Sequence, residues 1–278
     1  MKIITPAKIN LYLKIINKRE DGYHNICSGV TFVDLYNELE INLSNKNSIK
    51  YLGPFAPVKG FFDNDIITKI IEYFNQQSSV NFCLDIKIKK NIPYGSGLGS
   101  SSADAAAIIR SLIDLNIIKS KINYNDISFI GADIPMCIKS RDCIINGKGE
   151  KIIFNNDFAE YYFLLVKPNF SLSTKNIYSK FFLKKNNSIS NEIYNNNYKK
   201  LENDLEETAK KYYPEIKKLI NYLLNLNDVL FAKMTGSGSC CYATFNNLFS
   251  AEKAMKEIRL SYPDYWSVIV KNNIKKII

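Results

Sequence analysis

The sequence predicts an α+β protein of two domains, and three observations support that fold class. The chain has 278 residues, which is enough for two ordinary domains. Its first half contains alternating strand patterns and one glycine- and serine-rich loop that leads into a helix. Its second half has a β-α-α-β-β-α-β-like order of patterns. We expect domains over residues 1–156 and 157–265, with a final strand at about 266–278 packed against the first domain.

The first strand pattern runs from Ala7 to Ile16 and alternates strictly between apolar and polar residues. This alternation predicts a half-buried strand, with Lys8 and Asn10 as neighbours on its polar face. Asp21-Gly22 then indicates a turn. The remaining patterns predict further elements in this order: helix 64–77, strand 82–89, helix 103–115, strands 142–146 and 151–154, a strand from about 161, helices 199–211 and 214–226, strand 241–245, helix 250–258 and strand 266–271.

The composition of the chain disfavours several classes of protein. A hydrophobic content of 46% with 23% charged residues is typical of a soluble globular chain. The net charge of +10 comes from scattered lysines without a block of five like charges, which disfavours a nucleic-acid binder. The six cysteines form no C-x-x-C pair and His24 is the sole histidine, which disfavours a structural zinc site. No apolar run could span a bilayer, so we expect a cytoplasmic protein without membrane or nucleic-acid partners.

The loop "YGSGLGSSSA" has three glycines and four serines within residues 95–102. Glycine lets backbone N–H groups approach an anion, and a helix N-terminus attracts phosphate. The loop lacks the lysine of the common P-loop, and it does not fit a dinucleotide-binding fingerprint. From these residues alone, a phosphate loop and a flexible turn before an ordinary helix both remain open.

Four segments in order, "PAKINLYL", "PYGSGLGSSSADAA", "GADIP" and "MTGSGS", resemble the motifs of the GHMP kinase superfamily. The resemblance implies an N-terminal ATP-binding domain similar to ribosomal protein S5 domain 2 and a ferredoxin-like C-terminal substrate domain. It also implies transfer of phosphate from ATP to a small-molecule hydroxyl. The segments "REDGYHNI", "INGKGE", "LSTKNIY" and "ENDLE" resemble the branch that phosphorylates the 2-hydroxyl of 4-diphosphocytidyl-2-C-methyl-D-erythritol, in non-mevalonate isoprenoid biosynthesis.

The resemblance also implies roles for individual residues. Asp133 matches the catalytic aspartate and Lys8 the lysine paired with it. The implied ATP-binding residues are Asn64 (or Asp65, one position on), Lys90, Pro93, Gly95, Ser96, Gly97, Leu98, Gly99, Ser100, Ser101 and Ser102. The implied substrate-binding residues are Asn10, Tyr23, His24, Lys148, Thr174, Tyr178, Gly236, Ser237 and Gly238. Ala103 stands where a second serine is common, which leaves Ser102 as the serine expected to touch Mg²⁺.

Other interpretations stay open at this point. Without the resemblance, Asp133 is better explained as a turn residue before Pro135. The chain could be another GHMP kinase, acting on homoserine or mevalonate, or a non-catalytic member that binds a nucleotide or sugar. An aromatic base pocket around Tyr23 and Tyr178 favours the cytidine substrate, since a substrate without a base would have no use for it. The asparagine-rich stretch 184–198 is predicted to be a surface loop.

Overall fold

Two β-sheets, each covered by helices, organise the chain. The computed structural model describes residues 1–57, 66–78, 81–155, 158–182 and 200–272. The first sheet has six strands in the order β3-β4-β2-β5-β6, with β1 on the other edge of β2. Its elements are β1 (Lys2–Lys18), β2 (His24–Ser44), β3 (Ser48–Leu52), α1 (Ile66–Gln77), β4 (Cys83–Lys89), α2 (Ser100–Asp114), α3 (Tyr124–Ile130), α4 (Ile134–Lys139), β5 (Cys143–Gly147) and β6 (Lys151–Phe154).

The second sheet is antiparallel, with four strands in the order β10-β7-β9-β8. In chain order these strands are fourth, first, third and second, which is the ferredoxin-like arrangement that the resemblance implied. Its elements are β7 (Tyr162–Lys167), α5 (Thr174–Lys180), α6 (Asp204–Tyr212), α7 (Pro214–Leu224), β8 (Phe231–Met234), β9 (Cys241–Phe245), α8 (Leu248–Ser261) and β10 (Trp266–Lys271). The predicted two-domain α+β fold is confirmed.

Three apolar clusters form the core. One lies between the first sheet and its helices and includes the α1 stripe of Ile67, Ile70 and Phe74. A second lies between the second sheet and α6, α7 and α8. The third joins the two sheets, and Ile9 and Leu11 of β1 pack in it with Phe163 and Tyr242. Strand β1 therefore belongs to both halves of the molecule.

The expectation of a half-buried first strand is wrong, because both faces of β1 are buried. Lys8 is 3% exposed and Asn10 is 2% exposed. Loops from both halves cover this polar face: Lys8 N–H donates to the Leu98 carbonyl at 3.0 Å, and Asn10 N–H donates to Thr235 Oγ1 at 3.0 Å. Alternation along a strand indicates which of its faces is polar. It does not indicate whether loops from distant parts of the chain cover that face.

The final strand was expected to pack with the N-terminal domain. Its hydrogen-bonded neighbour is β7 of the second sheet. The strand also contacts the first sheet: Val270 is buried in the cluster that joins the two sheets, Lys271 N–H donates to Asp34 Oδ1 at 2.6 Å, and Asn272 Nδ2 donates to Thr31 Oγ1 at 3.2 Å. The domain boundary at residue 156 stays a prediction. Residues 184–198 lie outside the described residues, and no helix among the described ones is long and apolar enough to cross a membrane.

Asp142, just before β5, provides a test of this packing. Burial raises the pKa of its carboxyl to about 6, although Thr31 Oγ1 (2.9 Å) and the Phe32 N–H (3.2 Å) both donate to it. Because the pKa of this carboxyl is higher in the folded state than in the unfolded state, the free energy of unfolding falls as the pH rises toward 6. The decrease is complete above that pH. We expect Asp142→Asn to raise the melting temperature at pH 7.5 by about 3 °C, the shift that ~1 kcal/mol produces in a chain of this size.

At pH 4 the same variant should have the melting temperature of wild type, because the native carboxyl is already protonated there. Scanning calorimetry at both pH values measures the difference. Asp114→Asn is the matched control, because it removes one exposed carboxylate from α2. An equal or lower melting temperature for Asp142→Asn at pH 7.5 would contradict the expectation.

Candidate active site

A buried lysine lies beside an accessible carboxylate where the two halves meet. Lys8 Nζ is 3.2 Å from Asp133 Oδ2 and donates to Asn10 Oδ1 at 2.5 Å. The Asp133 side chain is 33% exposed. Asp133 directly precedes α4 but makes no side-chain capping hydrogen bond to it. The turn interpretation therefore leaves its carboxylate without a role, whereas the carboxylate is paired with Lys8 and open to solvent.

Asn10 is held so that its oxygen faces Lys8. Its Nδ2 donates to Ser28 Oγ at 2.8 Å, on the neighbouring strand β2. An amide with its nitrogen fixed in this way must present Oδ1 on the other side. The two polar side chains that alternation placed together on β1 are thus in direct contact.

Residues 95–99 of the glycine- and serine-rich stretch lie directly before α2, and Ser100, Ser101 and Ser102 form its first turn, so the helix begins three residues before the predicted start. Gly95, Gly97 and Gly99 all have positive φ (59°, 75° and 73°). A methyl group at Gly97 would collide with the Thr235 carbonyl, and one at Gly99 would lie 2.7 Å from Lys8 Cγ. Gly99 caps α2 without a side-chain hydrogen bond, so the first N–H groups of the helix stay available to an anion.

The second glycine loop packs against the first. The Cys240 N–H donates to the Ser96 carbonyl at 3.1 Å, and the Ser239 N–H donates to the Gly95 carbonyl at 3.3 Å. A methyl group at Gly236 would lie 3.2 Å from both Lys8 Nζ and Asn10 Oδ1. The structure thus brings together residues 95–99, residues 236–238 and the Lys8 pair, which sequence reasoning had matched separately.

A buried carboxylate that sequence reasoning did not single out holds Lys90. Lys90 Nζ lies 2.5 Å from Asp104 Oδ2 and donates to Ser100 Oγ at 2.6 Å. Asp104 is 1% exposed and also accepts from Thr5 Oγ1 at 2.8 Å and Asn37 Nδ2 at 3.0 Å. An acidic residue inside the alanine-rich run of α2 was the available signal. This network holds the Lys90 ammonium at the start of the helix.

A cleft of about 590 Å³ opens beside the loop and α2. Of the predicted nucleotide residues, Lys90, Pro93 and Ser101 line it. Residues from both sheets that the sequence did not indicate complete the lining: Tyr51, Phe55, Ile66, Lys167, Asp264 and Trp266 among them. Aromatic walls with a few fixed polar groups are typical of a site for a compact organic ligand. Asn64 and Asp65, the alternatives for the adenine contact, lie outside the described residues.

Several aromatic rings form contacts near the start of β2 and on α3 and α5. The His24 and Tyr178 rings lie 5.3 Å apart with a 34° tilt, and the Tyr23 and Phe129 rings lie edge to face at 5.9 Å. The Lys148 ammonium lies over the Phe129 ring. His24 thus lies against Tyr178, and the Lys148 ammonium lies 5.8 Å from the centre of the Tyr23 ring. Phe129, 54% exposed on α3, is a ring that sequence reasoning missed.

Burial and nearby charges, that of Asp133 among them, shift the pKa values of two residues in this aromatic cluster. Burial, and next the Asp133 charge, raise the pKa of the Tyr178 phenol, so the hydroxyl stays protonated. Burial, and next the Lys18 charge, lower the pKa of His24, so its ring is neutral at pH 7. Thr174 Oγ1 lies 2.8 Å from Ser237 Oγ, which connects α5 to the second glycine loop. A neutral polar ligand with a flat ring suits this cluster.

The protein offers few ligands for a metal ion. Within the described residues, no group of three or more His, Cys, Asp or Glu side chains could hold one. Ser102 lies half-buried on the first turn of α2. Mg²⁺ in kinase sites is held by substrate phosphates, water and one or two protein oxygens. The residues present fit such a shared arrangement and do not form a cage of their own.

Family models match both halves of the chain. The model for the GHMP kinases N terminal domain covers residues 65–143, and the model for the GHMP kinases C terminal domain covers residues 182–264. Together with the two-sheet fold and the glycine loop before α2, these matches define the class of the protein as a GHMP kinase. Use of ATP follows from this class.

Curated relatives narrow the class. Proteins named 4-diphosphocytidyl-2-C-methyl-D-erythritol kinase match at 34% identity in Ehrlichia canis, over 94% of this chain and 94% of the relative. The match is 33% in Anaplasma phagocytophilum (95% and 92%) and 33% in Pelagibacter ubique (96% and 97%). The chain belongs to the family of these kinases.

Solved structures share the fold. A 4-(cytidine 5'-diphospho)-2C-methyl-D-erythritol kinase superimposes with a TM-score of 0.77 at 22% identity, over 97% of this chain and 99% of that one. A homoserine kinase from Cytophaga hutchinsonii gives 0.66 at 15% identity, over 98% and 94%. Since both identities are low, these matches describe the architecture and do not distinguish the substrates.

The sole tryptophan of the chain allows a direct test of the cleft. Trp266 lines it, with its ring 5.9 Å from that of Phe55. We expect ATP alone to change the emission of Trp266 saturably, because a bound nucleotide alters the surroundings of the indole. Titration fluorimetry measures the change, and Trp266→Phe should abolish the signal while turnover persists. An unchanged emission at ATP concentrations that saturate turnover would place the nucleotide elsewhere.

Proposed function

We propose that this protein transfers the γ-phosphoryl group of ATP to the 2-hydroxyl of 4-diphosphocytidyl-2-C-methyl-D-erythritol, giving the 2-phosphate and ADP. The observation that carries the proposal is the Lys8–Asp133 pair, 3.2 Å apart, with Lys8 packed against Gly99 of the loop before α2. The names of the curated relatives support the same reaction, a step of isoprenoid precursor synthesis.

In this proposal Asp133 receives the proton of the acceptor hydroxyl. Its carboxylate is open to solvent, and the Lys8 ammonium fixes its orientation. Asn10 holds Lys8 from the other side. Phosphoryl transfer requires positioning and charge stabilisation more than covalent participation of the protein, so a rigid ion pair at the acceptor oxygen suits the reaction.

The phosphates of ATP would lie along residues 95–102, at the uncapped start of α2. Lys90, fixed by Asp104, adds a positive charge beside that helix end. The adenosine would occupy the cleft. Mg²⁺ would enter with the nucleotide, its ligands mainly phosphate and water, with Ser102 as the protein oxygen; it supplies charge neutralisation for the transferred group.

The cytosine base of the acceptor would lie among the aromatic rings, between Tyr23 and Tyr178. A neutral His24 can both donate and accept a hydrogen bond at the base edge. Homoserine and mevalonate carry no ring that could use this cluster, so the cluster favours the cytidylyl substrate. All six cysteines are free, five of them buried, which supports the proposed location in the reducing cytoplasm.

The first test is release of ADP by the protein with Mg-ATP and the cytidylyl acceptor, alongside Asp133→Asn. We expect turnover with this acceptor and none with homoserine or mevalonate. The variant should lower kcat by about 10²-fold or more, because an amide cannot take the hydroxyl proton. Unchanged binding of ATP, followed by Trp266 emission, controls for folding. No turnover with any acceptor by wild-type protein that binds ATP would refute the proposal.

A second test concerns the base pocket. Tyr178→Leu removes a ring that we expect to stack on cytosine, and stacking contributes ~1–3 kcal/mol. The KM for the cytidylyl acceptor should rise about tenfold or more, while the KM for ATP stays near wild type. Tyr178→Phe is the matched control, since it keeps the ring and should keep a low KM. An unchanged acceptor KM for Tyr178→Leu would exclude Tyr178 from the pocket.

A further inference from the structure

Asn203, in the "ENDLE" segment before α6, forms hydrogen bonds within the protein through both the nitrogen and the oxygen of its side-chain amide. The side chain is 3% exposed. Its Nδ2 donates to the Gly236 carbonyl at 2.7 Å and to the Met234 carbonyl at 2.8 Å. Its Oδ1 accepts from the Leu205 N–H at 3.1 Å and so caps α6. One residue thus joins the start of a helix to the second glycine loop.

The hydrogen bond to Gly236 sets the direction of the peptide that follows. In a planar trans peptide, the carbonyl and the next N–H point in opposite directions. With the Gly236 carbonyl directed at Asn203, the Ser237 N–H must point away from Asn203 and α6. Neither the Gly236 nor the Ser237 N–H has a hydrogen-bond acceptor in the part of the chain that the structure describes, although Gly236 is buried and Ser237 is 9% exposed.

Buried N–H groups without a partner are rare, since each costs the free energy of a lost hydrogen bond. Two successive ones on a glycine loop form a typical anion site. This pair lies close to the reacting groups, because Gly236 faces Lys8 and Asn10 at 3.2 Å from an added methyl group. The ligand chemistry that suits these groups is a phosphate oxygen.

The segment that carries Asn203 is also attached to β1, the strand of Lys8. The Leu13 N–H donates to the Glu202 carbonyl at 3.1 Å. Asp204 accepts from the Ile15 N–H and from Lys14 Nζ, both at 2.8 Å. Asn203 therefore positions the loop relative to the same strand that positions the lysine.

We propose that Asn203 is a positioning residue that directs the Ser237 N–H group, beside the Gly236 N–H, at a phosphate oxygen of the reacting substrates. The inference rests on the proposed function. It assigns the loop geometry to one side-chain amide, which is suited to this place because it combines two donor hydrogens with an acceptor. An aspartate would keep the cap but oppose two carbonyl oxygens, and a serine would keep the cap without reaching them.

The experiment compares Asn203→Ser with Asn247→Ser. Asn247 caps α8 by accepting from the Ser250 N–H at 2.9 Å and does not contact the glycine loops within the described residues, so it is a matched helix-cap control. Steady-state kinetics with ATP and the cytidylyl acceptor, together with melting temperatures, are measured for both variants and wild type. Asn203→Ser should lower kcat about 10²-fold, the usual effect of losing preorganised N–H donors. Its KM for ATP should stay close to that of wild type, whereas its melting temperature should fall by a few degrees because two buried carbonyls lose their donor.

Asn247→Ser should keep the kcat of wild type. A kcat of wild-type size in Asn203→Ser, or an equal loss in Asn247→Ser, would overturn the inference while leaving the proposed reaction intact. Absence of turnover in wild type would overturn both. If Asn203→Ser does not fold, Asn203→Asp replaces it with the same expectation for kcat, and a folded aspartate variant with full activity would equally overturn the inference.

Discussion

The burial of the Lys8 ammonium is the constraint on which the site depends. A buried charge is costly unless hydrogen bonds and an opposite charge compensate it, and Asn10 and Asp133 provide both. Lys90 meets the same requirement through Asp104. The two ammonium groups flank the start of α2, where the helix dipole is also positive. Two ion-paired ammonium groups and the N–H groups of a helix start thus surround one short loop, and glycine lets that loop approach them closely.

Much of the fold could be predicted from local patterns. The apolar stripe of α1 and the alternation of β9 predict those elements with nearly their observed bounds. Burial of the polar face of β1 could not be predicted, since the covering loops come from positions near 98 and 235. The pattern of β10 likewise identifies a strand but does not indicate that its hydrogen-bonded partner is β7.

The candidate site, like the fold, could be predicted only in part. Spacing alone indicates a loop before a helix, and the match to known motifs was needed to pair Lys8 with Asp133. The roles of Asp104, Phe129 and Asn203 were not predicted. Each role depends on a contact with a residue elsewhere in the chain, at Lys90, Tyr23 and Gly236 respectively. A polar residue in an apolar helix was the visible indication for Asp104, and the matched segment "ENDLE" contains Asn203 without indicating its role.

The attachment of β1 to late segments also constrains how the protein is made. The Leu11 carbonyl accepts from Lys233 Nζ, Leu13 bonds to Glu202, and Asn10 bonds to Thr235. Strand β1 therefore completes its hydrogen bonds with segments that lie about 190 to 225 residues further along the chain. Contacts of such long sequence separation slow folding, and apolar surface stays exposed until they form. A chain cut before residue 202 would consequently contain the nucleotide loop and yet lack the contacts that assemble the site.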